Sequence, residues 1–328
     1  MRAFRPFPLL RSPHLQTLLA CAQLGREPSS RTCRVRLVDG DQLAVEVSTP
    51  AGWTANAPTV VLVHGLCGCH GSPYMVRMTD KLVRRGVRVL RVNLRGCGSG
   101  RGLARELYHS GRSDDVLQVL RSFRDEAPDS RTTLVGFSLG GNVALKLAGE
   151  LGADAAAYLH RVIAVSAPAD LEACARRIGR PENRFYERHF IRLLRRAVAE
   201  RHAAFPDLPA VELPRSLGLF EFDDVYTAPH GGFESALDYY RKSSSAPLVP
   251  RIEVPCHVLF ADDDPFVRAD VFDGVELPAN VEVVRTRHGG HLGFLGRPGP
   301  GGAYRWMDSQ LLAWILEEEA PQRPGFRS

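Results

Sequence analysis

A chain of 328 residues exceeds the usual single-domain length, and its 44% hydrophobic and 24% charged residues are those of an ordinary globular protein, which excludes extensive disorder and favours one core carrying an insertion. The formal charge of +5 rests on arginine, since Lys81, Lys146 and Lys242 are the lysines among 42 basic residues, and the arginines are scattered without interleaved aromatics, which argues against a nucleic-acid partner. Seven cysteines in no scaffold spacing suggest a reducing compartment, and Cys67 and Cys69 lack the second pair that a zinc set requires.

At the start, Arg2 and Arg5 precede leucines, and Leu18-Leu19-Ala20-Cys21 faintly resembles a lipoprotein cleavage site. Arg11, Pro13, His14 and Gln16 interrupt the apolar run, so neither an export signal nor a membrane span is expected and a cytoplasmic location is the default. Residues 34–47 alternate loosely, as an antiparallel edge pair would, before a Pro/Gly/Ala-rich loop at 50–58. Thr59 to Val63 is then a continuous apolar run of the kind buried on both faces of a parallel sheet. Val87 to Val92, Thr132 to Val135 and Arg161 to Val165 repeat it. Helices fall between these strands: Ser72-Pro73 opens one that Gly86 closes, and Ser113-Asp114-Asp115 opens another with Val116, Leu120 and Phe123 on its apolar face. The alternation predicts a mostly parallel, doubly wound α/β sheet. It stops at 171–245, a stretch of helices and loops read as an inserted helical lid, so that 1–170 and 246–328 form the core. His257 to Ala261 and Val281 to Arg287 resume the strands, and Tyr304 to Glu319 reads as a terminal helix.

The chemistry centres on Gly136-Phe-Ser138-Leu-Gly140. A G-x-S-x-G match arises by chance in roughly one chain in ten of this length. Here it lies between the Thr132 strand and a helical Gly141-Asn-Val-Ala-Leu-Lys-Leu-Ala148, which places Ser138 on the strand-to-helix corner of an α/β-hydrolase fold. A strained corner projects the serine Oγ, and the helix aims its first amides at a reacting carbonyl, making Leu139 N–H one oxyanion donor. The loop His64-Gly65-Leu66-Cys67-Gly68 offers Leu66 N–H as the second, with His64 as an orienting or packing histidine. In this fold the acid and then the base follow the serine. Asp262-Asp263-Asp264-Pro265 supplies the acid, with Asp264 chosen because a turn follows it, and Arg287-His-Gly-Gly-His291 supplies the base. His291 is preferred for the two glycines that return its loop over the sheet, while His288 remains an alternative.

These blocks resemble the YheT-like branch of the α/β-hydrolases, acylglycerol or short-chain carboxylesterase types, over nearly the whole chain. The likeness includes Ser12-Pro-His-Leu-Gln-Thr17, His64-Gly-Leu, Gly71-Ser-Pro-Tyr-Met75, Asn93-Leu-Arg-Gly96, Phe222-Asp-Asp, Thr227-Ala-Pro229 and Gly289-Gly-His-Leu-Gly293. The resemblance implies Ser138 as nucleophile, Asp264 as acid and His291 as base, acting on a small-molecule ester without metal or organic cofactor and without an obligate protein partner. Thioesterase or acyltransferase chemistry uses the same triad, and a non-catalytic binding protein on this scaffold is the reading from another class. Arg188 to His202 reads as an amphipathic lid helix, with Phe190, Ile191, Leu194 and Val198 on one face and Arg192, Arg195 and Arg196 elsewhere; an ordinary solvated lid helix is the preferred reading, with an acyl-pocket cover that touches anionic lipid as the alternative.

Overall fold

The computed structural model describes residues 3–22, 27–297 and 304–317. Eight strands form one sheet: β1 (Arg31–Arg36), β2 (Gln42–Ser48), β3 (Thr59–Val63), β4 (Arg88–Val92), β5 (Thr132–Phe137), β6 (Arg161–Val165), β7 (Cys256–Ala261) and β8 (Val281–Thr286). Their order is β1-β2-β4-β3-β5-β6-β7-β8, antiparallel at β1–β2 and β2–β4 and parallel from β4 to β8. The apolar runs are continuous because both sheet faces are covered. Along β3, Val61 and Val63 pack with α3 (Ser113–Arg124) and α4 (Leu139–Leu151), while Val60 and Leu62 pack with α2 (Pro73–Val83) and α10 (Trp306–Leu316).

Some boundaries differ from expectation. β5 runs on to Phe137, whose backbone pairs with Val165 of β6, so the strand reaches the residue before Ser138. The terminal helix begins at Trp306, because Gly296 N–H donates to the Tyr304 carbonyl at 2.8 Å and Leu295 bridges Arg305, which holds that approach extended. It is described to Leu316, and Glu319 lies outside the described residues. An additional helix, α1 (Pro13–Ala20), precedes the sheet, with Ser12 as N-cap and Pro13 in its first turn.

Between β6 and β7 the chain builds helices: α5 (Leu171–Ile178), α6 (Arg184–Ala204), α7 (Leu219–Phe222), a π-helical turn at Asp223–Thr227, α8 (Ala228–His230) and α9 (Ala236–Ser243). α6 lays Ile191 and Leu194 into the main core cluster and exposes its other side. Among the described residues no helix is long and apolar enough to cross a membrane.

Candidate active site

Ser138 joins β5 to α4 with φ 52° and ψ −122°, a left-handed conformation costly for any residue with a Cβ. Two glycines make the corner possible. A Cβ on Gly136 would lie 2.1 Å from the Gly140 carbonyl oxygen, and one on Gly140 would lie 2.4 Å from that of Val63, so β5, α4 and β3 approach backbone to backbone. Ser138 N–H donates to Val165 O at 2.8 Å, tying the corner to β6.

The Ser138 Oγ lies 2.9 Å from His291 Nε2, and His291 Nδ1 donates to Asp264 Oδ2 at 2.8 Å. Asp264 has no exposed surface, and its Oδ1 accepts the amides of Phe266 and Val267 at 2.8 and 3.1 Å. Its position beyond β7 is therefore fixed by the turn that Pro265 starts, and the Nδ1–H contact selects the tautomer with a free Nε2 lone pair facing Ser138. His288 is turned elsewhere, toward Asp263 Oδ2 at 3.2 Å. Asp263 also accepts Gly290 N–H at 2.9 Å, so this carboxylate shapes the base loop from one side.

From the other side the base loop is held by α1, whose residues the sequence shows only as an interrupted export-like start and as one block of the family likeness. Thr17 Oγ1 accepts the His291 backbone amide at 2.9 Å. Gln16, fully buried, donates to the carbonyls of Leu10 and Leu295 at 2.6 and 2.9 Å and accepts Leu295 N–H at 2.7 Å. A Cβ on Gly290 would meet Pro13 O at 2.4 Å, which shows how closely α1 sits on the loop. The available signal was an amphipathic pattern the wrong way round, with Gln and Thr where leucines would be expected to turn inward.

The second loop at the site follows β3. His64 is fully buried; it accepts Leu94 N–H on Nε2 at 3.1 Å and donates from Nδ1 to the Gly65 carbonyl at 2.8 Å, and burial pushes its pKa down to about 4. It is a neutral strut. Tyr74 Oη accepts Gly65 N–H at 2.9 Å, Tyr108 Oη accepts Cys67 N–H at 3.0 Å, Gly65 O accepts Gly68 N–H at 3.0 Å and Ser72 Oγ accepts Cys69 N–H at 3.1 Å. Among the described residues the Leu66 amide has no such partner, nor does that of Leu139 in the first turn of α4. Cys67 takes φ 57°, and burial pushes its thiol up to about 12, so it serves as loop and wall rather than as a nucleophile.

Above Ser138 lies a cavity of about 280 Å³ whose walls include Leu66, Leu139, Phe190, Leu194, Phe222 and Tyr239. Three carboxylic residues line this mostly apolar space, Glu106, Glu200 and Asp223; Asp223, on the π-helical turn, accepts the hydroxyls of Thr227 and Tyr240 at 2.6 and 2.7 Å, and burial pushes it up to about 6.

The family described as the alpha/beta hydrolase fold matches residues 58–298. YheT of Escherichia coli (strain K12), carried under an esterase name, is 34% identical over 92% of this chain and 89% of its own length. The chain belongs to the α/β-hydrolase family, in its YheT-like branch. This YheT-like hydrolase is also 29% identical, over 73% of its length, to the medium-chain fatty acid ethyl ester synthase/esterase 2 of Saccharomyces cerevisiae, of which it spans 58%. Among solved structures, the esterase Pf2001 of Pyrococcus furiosus shares its fold at a TM-score of 0.56 and 15% identity, over 90% of this chain and 96% of that one.

Proposed function

We propose that this YheT-like hydrolase cleaves carboxylic esters through an acyl-enzyme on Ser138. The observation that carries the reading is the unbroken chain from Ser138 Oγ through His291 to buried Asp264, opening into an apolar cavity. As Ser138 Oγ attacks the ester carbonyl, His291 Nε2 takes its proton, and Asp264 stabilises the imidazolium. The carbonyl oxygen gains negative charge, and the amides of Leu66 and Leu139 are the donors free to meet it. Collapse of the tetrahedral intermediate expels the alcohol, which takes the proton from His291 and leaves an acyl-serine. Water, deprotonated by His291, repeats the sequence and releases the acid. The 171–245 insertion acts as the lid of the acyl site, and short-chain or acylglycerol-type esters are its substrate class.

A second reading, transfer of the acyl group to an alcohol, is favoured by the synthase half of the yeast relative's name. Product analysis in water with added alcohol separates the two. The test of the main reading is Ser138→Ala assayed beside wild type on p-nitrophenyl esters, acyl-CoA thioesters and monoacylglycerols, with fluorophosphonate labelling. The variant is expected to fold, to take no label and to lose about a thousandfold or more in turnover. Ester hydrolysis at the wild-type rate by Ser138→Ala would overturn the mechanism.

A further inference from the structure

α1 turns Gln16, Thr17 and Ala20 inward and leaves Leu15, Leu18 and Leu19 at 44, 49 and 38% exposure. The contacts of Gln16 and Thr17 to the base loop decide which face of the helix points out. They do not decide what that face carries, and leucines at i, i+3 and i+4 form a continuous apolar stripe where water gives them nothing. Beside it, His14 stacks on Tyr186 of α6 at 5.7 Å and hydrogen-bonds its hydroxyl at 3.1 Å. Phe185, next along α6, is 70% exposed.

The exposed charge around this stripe is mostly positive, with Glu182 just before α6 as an exposed carboxylate. Arg5 and Arg11 before α1, and Arg184, Arg188 and Arg192 on the outer side of α6, are exposed. Residues 3–22 contain no Asp or Glu. These five form no ion pair among the described residues, unlike the exposed Arg84, Arg176 and Arg268, which pair with Asp80, Glu172 and Asp270; exposed Arg34, Arg36 and Arg85 elsewhere are likewise without an ion pair. Of the three lid arginines that the lipid alternative would use, Arg195 instead donates to the carbonyls of Leu213, Pro214 and Arg215, and Arg196 pairs with Glu200 at 2.7 Å. Only Arg192 remains on the free face.

We propose that α1 and the first turns of α6 form a docking surface for an anionic lipid bilayer, with Leu15, Leu18, Leu19 and Phe185 entering among the head groups and the five arginines lying over their phosphates. Apolar side chains ringed by unpaired positive charge match that surface in both of its properties. A second copy of this chain would set arginine against arginine. The opposite side of α6, through Phe190, Leu193, Leu194 and Ala197, lines the cavity above Ser138, so a docked lid would lie between lipid and acyl site.

Full-length protein is sedimented with vesicles of phosphatidylcholine alone and with phosphatidylglycerol added, in low and high salt, and sized by gel filtration. Binding is read without turnover, so its failure leaves the Ser138 reading intact. Wild type is expected to sediment with the anionic vesicles and to be released by salt. Leu15→Ser/Leu18→Ser/Phe185→Ser and Arg184→Ser/Arg188→Ser/Arg192→Ser are each expected to lose about tenfold or more in partitioning while keeping wild-type turnover of a water-soluble ester. No sedimentation of wild type, or equal partitioning of the variants, would overturn the proposal. So would a wild-type dimer that the apolar variant dissolves without any vesicle binding, which would assign the patch to a second copy.

Discussion

The two halves of the candidate site are built by different means. The Ser138 corner is mostly local: two glycines, a strand ending at Phe137 and a helix starting at Leu139 shape it within five residues of chain, with the backbones of Val63, His64 and Val165 closing around it. The His291 loop is assembled from a distance, by Thr17 and Gln16 near the start of the chain and by Asp263 and Asp264 after β7. A nucleophile needs a rigid corner, which short-range sterics supply. A base must be placed against that corner, and only contacts from elsewhere in the fold can do so.

The contrast is tested most severely at Gly140. A methyl group there would sit 2.4 Å from Val63 O and 2.6 Å from His64 O, both backbone atoms that cannot step aside. Gly140→Ala is expected to cost more than about 3 kcal/mol and at least about 100-fold in kcat, read by calorimetry and by loss of fluorophosphonate labelling. A variant that folds and labels normally would show that the corner tolerates more freedom than its contacts imply.

Acid tests the loop beside that corner. Burial lowers the His64 pKa from 6.5 to about 4, so between those values the unfolded chain binds a proton that the native protein does not. Stability from this group is therefore present above pH 6.5 and lost as the pH falls toward about 4, by up to about 3 kcal/mol. His109, lowered by burial to about 3, and His257, lowered to about 4, act in the same direction. Urea midpoints across this range should fall with pH, and His64→Gln should flatten the slope; an unchanged slope would remove His64 from the account.

The smallest effect is expected in the distant half. Thr17→Val keeps the volume but removes the acceptor of His291 N–H, and should lower kcat by about tenfold with little change in KM, while Thr17→Ser restores it. Loss in KM instead, or no rescue by serine, would show that α1 only packs against the loop.

How far the site was legible follows the same division. Gly136 to Gly140, the apolar strand runs and the capped helices are short-range patterns, and they were readable because sterics and burial act over a few residues. Asp264 and His291 could be narrowed from their order after the serine and from the turns beside them. The pairing of His288 with Asp263 could not be read, since both histidines share one glycine-rich loop. α1 was missed as a helix because its inward residues are Gln16 and Thr17, whose burial is explained only by the loop they hold. Tyr74 and Tyr108, which fix the amides around Leu66, gave no local sign of that task.

By itself, the sequence determined the alternating α/β sheet, the corner that bears Ser138 and the family that the corner belongs to, because backbone sterics and apolar periodicity are properties of neighbouring residues. Tertiary structure alone decided that His291 faces Ser138, that Leu66 keeps its amide free and that the leucines of α1 point outward. Each of these depends on a hydrogen bond or a close approach between residues far apart in the chain, and such contacts come into being only when the chain has folded.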